Sequence, residues 1–462
     1  MSKKTKYTGV ELMDSAPVGT AIVRLALPMM LAMLAQAIYN MTDMFFIGQT
    51  GDPNMVAAIA LVNPLFMLSQ ALGNIFATGG SSYISRMLGA KQADEAKQAS
   101  AVSFYCSFVI GALLTAILLI IKMPALRLIG ASDATFTHTN NYFTVVAIFM
   151  AFAAAGAVMS GQMRSEGASK KAMMLQVIGI VLNIILDPIF ILWFNMGTAG
   201  AAWATIAGQL ASFAYGIHYF LSKETTLSIK LKDYKPNRQM IKQVLSIGVP
   251  SGLSNMIMSA SMILGNRILA GYGDHVVAGS GVHMRVTGLF FMVIFALVQG
   301  YQPFAGYNYG AKQFDRLRKG FKLTLIYSTV LCLAGSVVLR LFGAGLIRFF
   351  IDDVRTVEAG VAIMRIFVYG IPFVGLQVTL MVSFQAFGKP IQSTIITMGR
   401  QCLIYVPMLY LLSHFFGFEG FVWAQPGADI LTTGIAVLMG ISLFKFMRGM
   451  DSAVQTNSDN NL

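Results

Sequence analysis

Two aspartates sit where an apolar chain can least support them. Asp187 lies inside "NIILDPIFILW", Asn183 to Trp193, a run that continues upstream through "MMLQVIGIVL" and is long enough to cross a bilayer. A charge at the bilayer centre costs ~2.5–3.5 kcal/mol on insertion scales and more in simulations, so such acids are site candidates by default. Asp43 ends a second apolar run, "LPMMLAMLAQAIYNMTDMFFIG". There Gln36, Tyr39 or Asn40, and Asp43 recur at three- and four-residue steps, the spacing of one helix face. Asn183 and Asp187 are four apart, as are Thr205 and Gln209 in "GAAWATIAGQ". Two carboxylates with amide and hydroxyl oxygens suit a hard monovalent cation or an exchangeable proton. Oxygen ligands favour hard cations, and clustered carboxylates raise one another's proton affinity. The competing reading is structural: Asp43 as a cap or interhelical partner, and Thr205 bonded to its own helix backbone.

Other polar groups are scattered. Arg267 and Arg285 lie in apolar runs with no acid nearby in sequence, and His283 is the one histidine worth testing as a titrating group. Gln36, Tyr39, Asn40, Arg267, Arg285 and His283 are the candidates for lining a substrate cavity. Cys106, Cys332 and Cys402 are far apart in apolar runs, so neither a metal site nor a disulfide framework is expected. No Walker-type, HExxH or Ser/His/Asp pattern and no nucleophile–base pair is visible, so an enzyme is not expected and no cofactor is called for.

These residues need helices to hold them. The chain has 462 residues, 56% hydrophobic and 11% charged, with mean hydropathy +0.67. Soluble domains carry about 25% charged residues, so an all-α polytopic membrane protein in a lipid bilayer is expected. A spanning helix needs ~20 apolar residues. About twelve runs qualify, starting near Ile22, Met55, Ala99, Phe136, Ala172, Gly200, Val244, Val276, Leu323, Ala359, Gln392 and Gly420. The net charge of +13 gathers in alternate connections, not on a nucleic-acid face. Lys3, Lys4 and Lys6, then Arg86, Lys91 and Lys97, then Arg164, Lys170 and Lys171, mark one side. Lys223 to Lys242 and Lys312 to Lys322 continue the pattern, which puts both termini in the cytoplasm. Arg340, Arg348, Arg355 and Arg365 around the ninth connection break it. No signal peptide is expected.

The sequence repeats itself. "LGAKQADEAKQA" from Leu88 is echoed by "YGAKQFDRLRKG" from Tyr309. Gly89 and Gly310, Gly167 and Gly388, Pro28 and Pro250, Asp133 and Asp353, Trp203 and Trp423, and Pro188 and Pro407 are all 219 to 222 residues apart. The expected layout is a tail (1–20), a six-helix half (21–221), a basic cytoplasmic connection (222–242), a second six-helix half (243–447) and a tail (448–462). Two parallel six-helix repeats are common among secondary transporters, with a site between the halves. By the same offsets Asp43 faces Gly265, Asp187 faces Val406 and Thr205 faces Gln425. The scaffold prolines recur and the acids do not, so the acids are not needed to build a half.

Pro28, "LNIILDP", "GAAWAT", "SRMLGAKQADEA", "GNIFATGGSSYISR" and "GVHMRVTGLF" resemble the multidrug and toxic compound extrusion (MATE) family, within it the MepA-like bacterial branch. The resemblance covers roughly residues 15 to 448. It implies a V-shaped pair of six-helix halves around a central cavity, in a bacterial inner membrane. It also implies antiport of amphiphilic, often cationic, small organic molecules against H+ or Na+. Asp43, Asn183, Asp187 and Thr205 correspond to its cation site, and Pro28 to a helix-one hinge. The family branch with acids in helices seven and ten is not matched here, because Asn255 and Asn266 occupy helix seven and the helix-ten stretch "IFVYGIPFVGLQVTLMVSFQAFG" has no acid. A cation site in the second half is therefore not expected. The rival reading is a lipid-linked saccharide flippase of the same superfamily, which would use Arg267, Arg285 and Arg400 on a pyrophosphate. A monomer is expected.

Overall fold

A computed structural model describes residues 9–459, without the side chains of Met44, Pro53 and 444–459. Lys3, Lys4 and Lys6 lie outside the described residues. The described chain is built of helices. The first six long ones are α1 (Val18–Gly48), α2 (Pro53–Gly89), α3 (Ala93–Ile120), α4 (Asp133–Ser165), α5 (Ser169–Pro188) and α6 (Gly197–Leu221). They are followed by α7 (Arg238–Ala270), α8 (Asp274–Gly310) and α9 (Phe314–Phe350). The tenth, α10, is a pair, Val354–Phe367 and Ile371–Ala386, bent by 59° at the break. The eleventh, α11, starts at Pro390–Met398 and passes through a π-helical turn at Gly399–Leu403. The run Tyr405–Asp459 is broken at Gly417 (φ +59°, ψ −135°), which separates the end of α11 (405–416) from α12 (418–459).

Among the described residues nine helices are long and apolar enough to cross a membrane, or ten if the bent pair is one span. The Pro390–Leu443 stretch counts once there and contains two helices folded at Gly417. Helix α6 is not among the nine, because glycine, Thr205 and Gln209 dilute its apolar character. With these two additions the number is twelve, as the sequence suggests.

The chain divides into two compact units. Of the described residues, unit 1 comprises 9–16 and 24–256, and unit 2 comprises 17–23 and 257–459. The duplication shows in the backbone. Gly51 and Gly273, Lys91 and Lys312, Gly167 and Gly388, and Gly197 and Gly417 all have positive φ, and the members of each pair are 220 to 222 residues apart. Left-handed backbone is costly for a residue with a Cβ. Its recurrence at Lys91 and Lys312 marks the same turn, "GAKQ", built twice.

Local signals start the helices. Asp52 caps α2 by accepting from the Asn54 amide at 2.8 Å, with Pro53 at the first position. Asp353 caps α10 through the Thr356 amide (2.9 Å) and hydroxyl (2.6 Å), and these bonds hold its carboxyl below the usual range. In unit 1 the connection after α6 is strapped to the helices. Buried Glu166, between α4 and α5, accepts from the Tyr219 hydroxyl (2.7 Å), the Thr225 hydroxyl (2.8 Å), and the Thr226 amide and hydroxyl (3.0 Å each). Burial pushes the Glu166 carboxyl up against those four bonds, which favour the ionised form. Tyr105 adds a bond to the Ile229 carbonyl at 3.0 Å.

Candidate functional site

Backbone contact between α5 and α6 sets the site in unit 1. A Cβ on Gly179 would lie 2.8 Å from the Gly208 carbonyl oxygen, so only glycine permits this approach. A Cβ on Gly208 would lie 3.3 Å from that of Asn183, which places Asn183 over the next turn of α6. There the Asn183 Nδ2 donates to the Thr205 hydroxyl at 3.3 Å. That hydroxyl donates in turn to the Ala201 carbonyl at 3.0 Å. Thr205 therefore bonds its own helix and also orients Asn183. One turn along α5, Asp187 is fully buried, directly before Pro188 and the π-helical turn Ile189–Trp193. Pro188 lacks an amide hydrogen, and the chain restores its ladder with wider i+5 bonds, such as the Phe194 amide to the Ile189 carbonyl at 2.9 Å.

From α1, Asp43 is half-buried, and its charge acts on Asp187. Tyr39, one turn before it, feels both carboxylates and lies within hydrogen-bonding reach of Thr205. Tyr142 of α4, buried against Phe66, also feels Asp43, Tyr39 and Asp187. This phenol was not singled out from sequence, because one tyrosine in an apolar run carries no spacing signal.

The cluster is short of donors. Both Asp187 carboxylate oxygens, Asp43 Oδ1 and Asn183 Oδ1 are buried without a hydrogen-bond partner among the described residues. Native structures rarely leave buried acceptors in this state, and two adjacent carboxylates compound the cost. A bare hard cation would take lone pairs from several of these oxygens, and a proton on one carboxylate would give a single donor for another, so the oxygen set fits either ion. No group of three or more His, Cys, Asp or Glu suited to a metal occurs among the described residues, so two carboxylates and neutral oxygens are what the site offers. Beside it a cavity of about 20 Å³ is lined by Ser69, Thr205, Gln209, Phe66, Val146 and Met150. That is room for about one water.

Not every candidate joins this cluster. Gln36 and Asn40 are exposed and bond each other at 3.2 Å, whereas Tyr39 and Asp43 turn inward. The single face inferred for helix one is thus split, because Asn40 follows Tyr39 by about 100° of helix. Pro28 sits inside the continuous helix α1. Arg267 and Arg285 are exposed and form no ion pair among the described residues. His283 is buried edge-on against the Phe367 ring at 4.7 Å, and its Nδ1 has no partner among the described residues.

Unit 2 holds a buried acid that was not singled out from sequence. Asp429 of α12 is 1% exposed and accepts from Arg400 Nε at 2.8 Å and Gln425 Nε2 at 3.3 Å. Arg400 is therefore not the free cation that the flippase reading assigned to a pyrophosphate.

The MatE family model matches this chain twice, over residues 28–189 and 250–411. The multidrug export protein MepA of Staphylococcus aureus (strain N315) is 29% identical over 426 residues, covering 92% of this chain and 94% of that protein. Crystal structures of a MATE protein in the bent and in the straight conformation each superpose with a TM-score of 0.90 at 26% identity. Each covers 97% of this chain and 100% of the other.

Proposed function

The chain belongs to the MatE family, and from that premise we propose that it is a cation-coupled antiporter that exports amphiphilic, often cationic, small molecules. The observation that carries this reading is the buried set of oxygens on Asp43, Asn183 and Asp187 that have no partner among the described residues. Facing outward, Asp43 and Asp187 take up a proton or a sodium ion. Neutralising them weakens the hold on a cationic substrate and favours its release. Return of the emptied carboxylates to the cytoplasmic side drops the ion and readmits substrate. A membrane potential supplies ~2.3 kcal/mol per charge per 100 mV, enough to bias such a cycle. Asn183 offers its amide oxygen because its nitrogen is spent on Thr205, and Thr205 acts by holding it so.

Pro28 is proposed as the hinge of α1, since proline removes one ladder bond there. The bent and straight conformations of the MATE relative support a transporter that changes shape. Export of drugs by the MepA relative supports the substrate class. The basic connections support a cytoplasmic location for both termini. The flippase reading keeps only Arg267 and Arg285, since Arg400 is paired.

The test is ethidium efflux from cells carrying Asp187→Asn at matched expression. Loss of efflux with folded protein is expected; retained efflux would refute the assignment. Binding of a lipid-linked saccharide in place of ethidium would move the function to a flippase.

A further inference from the structure

The acid of unit 2 repeats the polar face of unit 1 in altered form. At the offset of 220 set by Trp203 and Trp423, Gln425 stands where Thr205 stands and Asp429 where Gln209 stands. In unit 1, α6 presents Thr205 towards acids supplied by α5 and α1. In unit 2, α12 supplies the acid, and the preceding helix α11 supplies Arg400. The site is built around the carboxylate. A Cβ on Gly370 would lie 3.1 Å from Asp429 Oδ2, so glycine makes the room. Gln377 Nε2 donates to the Asp429 carbonyl and, at 2.7 Å, to the Thr433 hydroxyl. Gln377 Oε1 and Thr432 Oγ1 are buried without a partner among the described residues. The Arg400 guanidinium lies over the Phe291 ring, 5.6 Å from its centroid, and its side chain keeps 17% exposure.

A carboxylate this deep needs a cation. The guanidinium stays charged at any working pH and is tethered to the chain. We propose that the α11–α12 interface of unit 2 is a monovalent-cation site permanently filled by the Arg400 guanidinium, so that unit 2 is blind to the coupling ion. Ion dependence is then confined to unit 1 by one arginine. This rests in part on reading the α1–α5–α6 cluster as an ion site. Its test reads stability, not efflux, so either can fail alone.

Removing the tethered cation frees the site for a diffusible one. The experiment uses full-length protein in detergent with Asp43→Asn and Asp187→Asn, which silence unit 1. In that background Arg400→Ala is expected to lower the melting temperature. Millimolar methylguanidinium chloride should restore part of the loss saturably, and sodium chloride a smaller part, whereas choline chloride at equal ionic strength should not. Adding Asp429→Asn should abolish the response and recover part of the stability, because no unpaired buried charge remains. No response beyond that to choline, or a response that survives Asp429→Asn, overturns the proposal. If Arg400→Ala alone does not fold, the Arg400→Ala/Asp429→Asn pair decides. A folded double variant supports a charge-filling role, and an unfolded one shows that Arg400 is needed for packing on Phe291 instead.

Discussion

Unit 1 and unit 2 descend from one repeat, yet they treat a buried carboxylate in opposite ways. In unit 1 Asp187 and Asp43 face neutral oxygens and phenols, with no basic side chain bonded to either among the described residues. In unit 2 Asp429 is held by Arg400 and Gln425. Among the described residues each half also carries one π-helical turn. In α5 it follows Asp187–Pro188, and in α11 it contains Arg400 itself. Among the described residues the same scaffold therefore holds unpaired carboxylates in one half and an arginine-paired one in the other, as the proposed exchangeable and locked charges require. A site meant to bind and release an ion must leave its carboxylates unsatisfied, and a site meant to stay put must not.

Removing a charge should thus have opposite consequences in the two halves. The largest effect is on transport: Asp187→Asn is expected to reduce efflux to background while the melting temperature stays level or rises, since an uncompensated buried charge has gone. Asp429→Asn should do the reverse. It strands a mostly buried guanidinium, and the cost is about 2–4 kcal/mol, under the full figure for a buried pair because Arg400 keeps some exposure. Thermal unfolding in detergent beside the efflux assay separates the two, and equal stability loss in both variants would erase the contrast. Next in size is Gly208→Ala, which forces α5 and α6 apart at the Gly179 contact. Overpacking of this kind costs about 1–3 kcal/mol, and efflux should fall with it. Thr205→Val keeps the shape and removes the hydroxyl that orients Asn183. It is expected to weaken ion dependence about fivefold with little change in melting temperature, one such bond being worth about 1 kcal/mol. Smallest is Gln36→Ala with Asn40→Ala. Their bond is exposed, so stability should shift by under about 0.5 kcal/mol, and an effect as large as that of Thr205→Val would return these residues to the site.

The helices and their duplication were readable because apolar length and repeated glycines and prolines are local properties of the chain. The same holds for Asn183 and Asp187, whose four-residue spacing forces them onto one face and whose polarity stands out in an apolar run. Thr205 joined them through its own periodicity. What the sequence did not disclose depends on contacts distant along the chain. Tyr142 reaches the acids only because α4 packs there. Asp429 escaped notice because it stands at the position of Gln209, not of Asp43 or Asp187, and its partner Arg400 is 29 residues away. Gln36 and Asn40 shared the period of Tyr39 and Asp43, but periodicity alone does not tell which edge of a broad helical stripe turns inward.

In the proposed mechanism the Asp43–Asn183–Asp187–Thr205 cluster couples an ion to export. Its most direct test is ethidium efflux from proteoliposomes under an imposed sodium gradient and then under an imposed proton gradient, with Asp187→Asn alongside. One gradient is expected to drive efflux, and the variant to lose it. Efflux that persists in Asp187→Asn, or folded protein that responds to neither gradient, would contradict it.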